Sequence, residues 1–168
     1  MSNHPLNCGH LIKKYDRPVP RYTSYPTVPY WQAQPPTQAK WQANIHDRMK
    51  ENPSISLYLH LPFCEQLCTY CGCNKHITRN HGMESPYIDA LLAEWEIYTR
   101  QFPQRPKIKE LHLGGGTPTF FHPTELARLL NGIFALADRD DTFSYGFEAH
   151  PSSTTEAHLS LLAEYGFD

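Results

Sequence analysis

Four of the chain's five cysteines lie within ten positions, in the stretch CEQLCTYCGC at residues 64–73. Thiolates at Cys64, Cys68 and Cys71, spaced C-x3-C-x2-C, match three corners of a 4Fe–4S cluster and leave one iron open. Zinc is an alternative with Cys73 as fourth ligand, although structural zinc usually combines two separated ligand pairs. Cys68 and Cys71 also have the spacing of a redox pair, which would leave Cys64 unexplained. The spacing favours the cluster over both alternatives.

Two later segments carry groups that could meet a ligand. GGGTPTF, residues 114–120, can bring backbone N–H and C=O groups close to a ligand, because glycine has no side chain in the way. A tight turn explains the same glycines equally well. Glu148 could accept hydrogen bonds from ribose hydroxyls, and an ion-paired or exposed strand-end carboxylate is the alternative. Tyr58 could contact the same ligand, or it could be a partly buried phenol.

Alternating side chains predict the strands that position these groups. ISLYLHLPF predicts a strand with one apolar face (Ile55, Leu57, Leu59 and Leu61) and one polar face (Ser56, Tyr58 and His60). KIKELHLGGG and TFSYGFEAHP predict a second and a third strand. Both candidate ligand-binding segments therefore follow strands, where parallel α/β folds place their binding loops.

A helix is predicted after each strand. SPYIDALLAEWEIYTRQF has helical spacing, with Ser85 as N-cap and Pro86 as the first helical residue. HPTELARLLNGIFALA gives the second helix, and SSTTEAHLSLLAEYG gives the third, with a capping box from Ser153 to Glu156 and Gly166 at its end. Three strand–helix units predict an α/β fold with a parallel sheet. They cannot close a full (β/α) barrel, and the exposed edge after the third unit favours the N-terminal part of a larger barrel over a small open domain.

A segment rich in proline precedes the first strand. Repeated prolines in residues 1–39 exclude helix interiors and favour extended or turn conformations. We predict an extended arm packed on the body, because the segment is more aromatic than disordered chains are: Tyr15, Tyr22, Tyr25, Tyr30 and Trp31. A short helix is predicted at residues 40–50, with Trp41, Ile45 and Met49 on one side. The predicted division is therefore an arm with a short helix, 1–53, and a core, 54–168.

Composition narrows the classes of function. The formal net charge of −2 offers no basic stripe for nucleic acid and no patch for an anionic membrane, and no stretch approaches the ~20 apolar residues of a membrane span. The start, MSNHPLNCGHLIKKYDRPVP, lacks the apolar core of a signal peptide, so we expect a cytoplasmic protein. Clustered cysteines there bind metal or do redox chemistry more often than they form disulfides. Cys8 stands alone in a polar stretch and is expected to be incidental.

The cysteine spacing after a first strand, with Tyr70 just before the third cysteine, resembles the radical S-adenosylmethionine (radical SAM) enzymes. The resemblance implies that Cys64, Cys68 and Cys71 ligate a 4Fe–4S cluster and that S-adenosylmethionine chelates the open iron. It further implies a partial, TIM-like (β/α) barrel. The glycine-rich motif would contact the methionyl end of S-adenosylmethionine through Gly115, Gly116 and Thr117, and Glu148 would bind its nucleoside part, with Tyr58 as a further contact.

A closer resemblance runs from about Tyr15 to the end of the chain. PRYTSYPT, SLYLHLPFCEQLCTYCGCNK and LHLGGGTPTF together look like the oxygen-independent coproporphyrinogen III oxidases. CGCN, residues 71–74, is the most specific element, because the related haem chaperones typically lack the fourth cysteine and the long N-terminal arm. EAHPSS departs from the family's acidic form in that His150 replaces an Asp, which leaves the role of this position open and keeps Glu148 in place.

This resemblance implies a reaction in haem biosynthesis. Coproporphyrinogen III would be decarboxylated to protoporphyrinogen IX after one electron from the cluster splits S-adenosylmethionine and the resulting radical takes hydrogen from two propionate side chains. An electron-donor protein is implied as a partner, and we expect a monomer. Because family members are far longer, the chain is expected to be the N-terminal third of such an enzyme, poorly soluble and inactive by itself.

Cys73 is surplus to the three predicted ligands. We predict a catalytic or substrate-side role outside the cluster, and a buried inert thiol is the alternative. His60 and His76 could contact tetrapyrrole carboxylates, although single histidines more often serve packing or solvent hydrogen bonds. Two other classes stay open, a haem-binding chaperone that forms no vinyl product and a zinc-binding module without iron or sulfide.

Overall fold

The structure, a computed structural model, describes residues 8–16, 30 and 37–168, and the chain forms two units, Met1–Pro36 and Thr37–Asp168. The first unit contains helix α1, Cys8–Tyr15, where we predicted extended chain. That expectation was wrong for this stretch because the prolines that motivated it, Pro5 and Pro18, lie on either side of the helix and not in it. Most of the predicted arm, with Tyr22, Tyr25 and Trp31, lies outside the described residues.

The second unit alternates strands and helices. Its elements in chain order are α2 (Gln38–Glu51), β1 (Ser54–Leu61), β2 (Phe63–Cys64), β3 (His76–Ile77), α3 (Glu84–Thr99), β4 (Lys107–Gly115), α4 (Pro123–Leu136), β5 (Asp138–Phe147) and α5 (Glu156–Glu164). Strands β1, β4 and β5 form one sheet in the order β1-β4-β5, with both pairs parallel. The predicted parallel α/β arrangement of three strand–helix units is confirmed.

The core lies between this sheet and its helices. Helices α3, α4 and α5 contact one another in chain order, and the Trp95 indole donates a hydrogen bond to the Ile133 carbonyl, which ties α3 to α4. The fully buried side chains come from both layers: Leu61, Leu111, Leu113 and Tyr145 from the strands, and Ile88, Leu126, Leu129, Leu130, Ile133 and Leu162 from the helices. Burying this much apolar surface on one face of the sheet is what stabilises the unit.

The alternation predicted for β1 is confirmed. Leu59 and Leu61 are buried, Ile55 and Leu57 pack against the same core, and Ser56 and Tyr58 are exposed. Because side chains alternate along a strand, the opposite face of the sheet carries polar groups: Ser56, Tyr58, Glu110, His112 and Ser144 line an open cavity there. In the described part of the chain, this polar face is the only one of the sheet without a helical layer.

Helix α2 belongs to the second unit. Met49 is buried, Trp41 packs edge-on against Tyr98 of α3, and Gln42 donates a hydrogen bond to Gln101. The compact unit therefore begins at Thr37, before the division that we predicted near residue 53. The predicted apolar side of this helix lies against the C-terminal end of α3.

Two predicted helix caps were wrong. Helix α3 begins at Glu84, so Ser85 and Pro86 lie in its first turn, where an N–H has no partner in the helix and proline is tolerated. Helix α5 is capped by Thr155, whose hydroxyl forms a capping box with His158, and not by Ser153 and Glu156. The Ser153 hydroxyl lies instead within hydrogen-bond distance of the buried Thr119 hydroxyl.

The end of α5 was predicted correctly. Gly166 has φ +86°, a left-handed conformation that favours glycine, and its N–H donates to the Ala163 carbonyl while the Phe167 N–H donates to that of Leu162. Phe167 then forms a parallel bridge with Tyr145 of β5. The chain therefore turns back toward the sheet edge immediately after α5.

Candidate functional site

The cysteine loop and the glycine-rich turn meet at the C-terminal ends of β1 and β4. Leu61 and Gly115 are partners in the parallel register, so the segments that follow them are neighbours. Beyond the strands, the Gly116 N–H donates to the Leu61 carbonyl at 2.9 Å and the Thr117 N–H donates to the Phe63 carbonyl at 2.9 Å. The sheet thus fixes the two predicted ligand-binding segments side by side.

The cysteine loop is closed at its base. The strand that begins the loop, β2, pairs in parallel with the strand that ends it, β3. The His76 N–H donates to the Pro62 carbonyl at 2.8 Å, and the Thr78 N–H donates to the Cys64 carbonyl at 2.9 Å. Inside the loop the Cys71 N–H donates to the Cys68 carbonyl at 3.1 Å, so Cys68 and Cys71 lie in one turn. All four cysteines lie between or within these two short strands.

The donor set fits an iron–sulfur cluster. Cys64, Cys68, Cys71 and Cys73 are all free thiols, the first three partly exposed and the fourth exposed. The Thr117 hydroxyl donates a hydrogen bond to Cys64 Sγ at 3.3 Å, a contact that suits a cluster thiolate. Across residues 8–16, 30 and 37–168, no three His, Cys, Asp or Glu side chains are gathered around a single point that one metal ion could occupy.

The glycines of the turn are required by close packing. Gly115 has φ +106°, and a Cβ there would lie 2.3 Å from the His60 ring, while a Cβ on Gly116 would lie 2.5 Å from the backbone of Pro62. The Gly115 N–H donates to Glu148 Oε2 at 3.0 Å. The N–H groups of Gly115, Gly116 and Thr117 are thus all used inside the protein, so that a contact with S-adenosylmethionine would have to use other atoms of the turn.

Glu148 follows β5 directly and lies beside the glycine-rich turn. Its N–H donates to the Leu113 carbonyl, and its carboxylate is held by the Gly115 N–H and by His112, whose Nε2 is 3.7 Å from Oε1. The side chain stays about half exposed, at 49%. Glu148 therefore combines a fixed position with an open oxygen face, which is what a carboxylate that binds hydroxyl groups needs.

Tyr58 and two histidines line the polar face next to Glu148. The Tyr58 ring is stacked on His112 at 5.9 Å and an interplanar angle of 11°. Its hydroxyl lies 3.1 Å from His60 Nδ1, and His60 Nε2 lies 2.9 Å from the Asn74 carbonyl. A carbonyl can only accept, so His60 carries its proton on Nε2 and accepts from Tyr58 on Nδ1. This chain of contacts ties β1 to the far side of the cysteine loop.

Cys73 lies close to the groups predicted to bind S-adenosylmethionine. Partial burial raises the pKa of Tyr58, and the negative charges of Glu148 and Cys73 raise it further. The pKa of the Cys73 thiol is also raised, first by a hydrogen bond with Cys71 and then by the charge of that neighbour. The Cys73 side chain is exposed, and its predicted role outside the cluster stays a prediction.

The other two histidines singled out in the sequence have local partners. The His76 ring packs edge-on against Phe63 at 5.9 Å. His150 Nδ1 lies 2.7 Å from the Ser152 hydroxyl, and the His150 carbonyl accepts the N–H groups of Ser153 and Thr154. His150 therefore closes the loop after β5, next to Thr117 and Glu65 in one small cavity.

Sequence reasoning missed His112 and Glu84. His112 alternates with Glu110 on the polar face of β4, and the period that identified Tyr58 in β1 would have found it too. Glu84 is buried at 4% exposure although it carries a carboxylate, and no sequence pattern signals this. Its partners come from the loop before α3 and from the start of α4.

Comparison with known proteins decides the family. Residues 58–168 match the radical SAM superfamily. The chain belongs to that superfamily. Its members use a 4Fe–4S cluster and S-adenosylmethionine, the two cofactors that the cysteine spacing and the resemblance pointed to.

Similar proteins extend the radical SAM match over most of the chain. An oxygen-independent coproporphyrinogen III oxidase of Pseudomonas aeruginosa is 39% identical over 161 residues, which cover 94% of this chain and 35% of that protein. The enzyme of that name from Escherichia coli K12 is 45% identical over 122 residues, covering 71% of this chain and 25% of that protein. The chain spans about a third of the length of the curated relatives that it matches over most of its own length.

A solved radical SAM structure shares the fold. Coproporphyrinogen III oxidase from Escherichia coli, described as a radical SAM enzyme, superposes with a TM-score of 0.74 at 32% identity, over 94% of this chain and 34% of that one. The predicted partial radical SAM barrel is thereby confirmed. The described residues contain no helix that is both long and apolar enough to cross a membrane.

Proposed function

We propose that the chain is the cluster-binding part of an oxygen-independent coproporphyrinogen III oxidase. The observation that carries the proposal is the meeting of Cys64 with Thr117, and of Gly115 with Glu148, at one edge of the parallel sheet. The relatives named above support the substrate, since they bear this enzyme's name over 94% of the chain in one case. The fourth cysteine of CGCN, Cys73, supports the oxidase over a haem chaperone, since the chaperones typically lack it.

The proposed site residues form two groups, one that binds the cluster and one that binds S-adenosylmethionine. Cys64, Cys68 and Cys71 would each hold one iron of the cluster, and the fourth iron would take the amino and carboxylate groups of S-adenosylmethionine. Gly115, Gly116 and Thr117 would shape the methionyl side of the pocket, and Glu148 and Tyr58 would hold the nucleoside. When bound, the cluster and S-adenosylmethionine supply the radical that takes hydrogen from the substrate's propionate side chains. The protein's own part is to orient these groups and exclude solvent.

The remaining assignments complete the proposal. The substrate is coproporphyrinogen III, the product is protoporphyrinogen IX, and a reducing protein supplies electrons to the cluster. The enzyme works as a cytoplasmic monomer and binds neither nucleic acid nor membrane, in keeping with the net charge of −2. Cys73 would act on the substrate side of the site.

Anaerobic reconstitution with iron and sulfide tests the cluster. We expect an electron paramagnetic resonance signal of a reduced 4Fe–4S cluster, lost in Cys64→Ala, Cys68→Ala and Cys71→Ala and kept in Cys73→Ala. Added S-adenosylmethionine should change the shape of the signal in the wild type and in Cys73→Ala, because one iron is open to it. A signal that needs Cys73, or a chain that takes up one zinc and no sulfide, would contradict the assignment.

Titration with haem separates the oxidase from the chaperone. We expect no stoichiometric haem complex, since the proposed substrate is a porphyrinogen and His60 Nε2 already faces the Asn74 carbonyl at 2.9 Å. A one-to-one haem complex that is lost in a His60→Ala or His76→Ala variant would favour the chaperone.

A further inference from the structure

Glu84 is a buried carboxylate that the proposed reaction does not use. It is the first residue of α3, and its side chain is 5% exposed. Both oxygens have partners: Oε2 accepts the His122 N–H at 2.7 Å, and Oε1 lies 2.5 Å from His81 Nδ1. His122 is the N-cap of α4, so the carboxylate sits at the N-terminal ends of two helices, where negative charge is stabilised.

His81 connects this carboxylate to the cysteine loop. Its ring is stacked on Phe120 at 4.4 Å and 12°, which fixes the plane of the imidazole. Nδ1 faces Glu84, and Nε2 lies 3.5 Å from Glu65 Oε1. The imidazole therefore lies between the two carboxylates, with one nitrogen toward each.

Glu65 follows the first cysteine directly. Its carboxylate is 43% exposed, and its partner His81 lies beyond β3, on the other side of the cysteine loop. In the part of the chain that the structure describes, no other ion pair involves residues 65–70. The stretch between the first and second thiols therefore has one such side-chain contact with the body of the protein, the one between Glu65 and His81.

We propose that Glu84, His81 and Glu65 form a positioning relay for the cysteine loop. The buried carboxylate fixes His81, and His81 fixes the backbone that separates Cys64 from Cys68, so that the two thiols keep the spacing a cluster needs. The relay deepens the proposed function and rests on its cluster assignment. None of the three side chains is a ligand, and their effect on the cluster passes through the loop.

Alkylation of the reduced chain without a cluster tests whether the relay positions the cysteine loop. The rate of iodoacetamide labelling at each cysteine is followed by peptide mass spectrometry in the wild type, in His81→Ala and in Glu65→Gln. Both changes are at partly exposed side chains, so the fold is expected to persist, and a urea midpoint for each protein checks this. Cys73, which is exposed and lies beyond the third ligand, is the internal reference.

We expect both variants to label Cys68 about 1.5-fold to fivefold faster than the wild type, as the loss of one partly exposed polar contact implies. Labelling of Cys73 should stay unchanged in both variants, and so should the urea midpoint of Glu65→Gln. His81→Ala also leaves a buried oxygen of Glu84 without its partner and should have a somewhat lower midpoint. His46→Ala and Glu94→Gln are the matched controls, because both are exposed on helices away from the loop, and they should leave Cys68 unchanged. Equal Cys68 rates in wild type, His81→Ala and Glu65→Gln would overturn the relay, as would a control that changes them equally.

A second measurement separates this proposal from the first. After anaerobic reconstitution, the two relay variants should lose iron to a chelator faster than the wild type does, by the same rough factor. If the wild type takes up no iron and sulfide, the cluster assignment fails, while the alkylation rates still decide whether the relay holds the loop. If the wild type holds a cluster and the variants release iron at its rate, the relay is overturned and the cluster assignment stands.

Discussion

Thr117 is the residue through which the glycine-rich turn touches the first thiol. Its Oγ1 donates to Cys64 Sγ at 3.3 Å. Hydrogen bonds to cluster sulfurs favour the reduced, more negative state and therefore raise the reduction potential. In Thr117→Val, which removes the donor at nearly constant volume, we expect the potential to fall by up to about 40 mV, the equivalent of ~1 kcal/mol for one electron. Redox titration of the reconstituted chain, followed by electron paramagnetic resonance, measures this.

Thr117→Ser is the control for that change. Serine keeps the hydroxyl and loses only a methyl group, so the potential should stay near that of the wild type. A fall of the same size in both variants would mean that packing, and not the hydrogen bond, sets the potential.

At the scale of elements, the end of β4 depends on glycine because β1 stands so close. A Cβ on Gly115 would collide with the His60 ring, and φ at this residue is +106°. Gly115→Ala should lower the free energy of unfolding by about 2 kcal/mol or more, from strain and collision together. Gly72→Ala, in the cysteine loop itself, has nothing within 4 Å of the added Cβ and should change it by less than about 0.5 kcal/mol. Urea unfolding of the two variants tests the difference, and equal midpoints would contradict the packing argument.

A hydrogen bond across the sheet joins Ser54, the first residue of β1, to Asp140 near the start of β5. The Ser54 hydroxyl donates to Asp140 Oδ2 at 2.5 Å, and with two bonds from Thr142 this lowers the pKa of Asp140 to about 2. Because the folded pKa is lower than the unfolded one, the contribution to stability is present above about pH 4 and is lost as the pH falls through about 2.

Ser54→Ala should raise the pKa of Asp140 toward its ordinary value, with Thr142 still bound to it. NMR titration of the Asp140 carboxyl measures the shift, and the stability difference from wild type should shrink between pH 4 and pH 2. Ser160→Ala, at an exposed position of α5, is the control. An unchanged Asp140 titration in Ser54→Ala would contradict the assignment of the shift.

The elements show where sequence reasoning succeeded and where it stopped. The alternation of β1 and the positive φ of Gly166 follow from local chemistry, and the structure has both. The two predicted helix caps failed in different ways. Glu84 accepts the His122 N–H and Ser153 lies near Thr119, and contacts between residues more than 30 positions apart leave no local pattern. The capping box that α5 does have, Thr155 with His158, is local, and sequence reasoning missed it.

The candidate site likewise combines features that the sequence indicates and features that only the folded structure shows. The sequence placed the four cysteines in one loop and Glu148 at the end of the third strand, and the structure has both there. The use of the glycine N–H groups within the protein could not be predicted, because it depends on the register of β1 against β4. The stacking of Tyr58 on His112 depends on the same register.

For the whole molecule, the polar face of the sheet is open to solvent, and this limits the reaction that the isolated chain can catalyse. Tyr58 is 52% exposed there, in an open cavity with Glu110, His112 and Ser144. We expect the isolated 168-residue chain to assemble the cluster but to be poorly soluble and to form no protoporphyrinogen IX, since a radical reaction needs a site closed to solvent. Anaerobic incubation with coproporphyrinogen III, S-adenosylmethionine and a reductant, followed by chromatography of the porphyrins, tests this. Turnover by the isolated chain would contradict it.

The pairing of β2 with β3 has a consequence for how the protein would withstand the loss of its cluster in air. Gathering ligands on a flexible loop costs conformational entropy, and here the backbone hydrogen bonds of Cys64 and His76 have already closed the loop. A zinc finger unfolds when it loses its metal, because nothing else holds its ligands together. This chain keeps a separate hydrophobic core, so oxygen damage that strips the cofactor would leave the scaffold standing, and the same polypeptide can be repaired by reloading instead of being degraded and replaced.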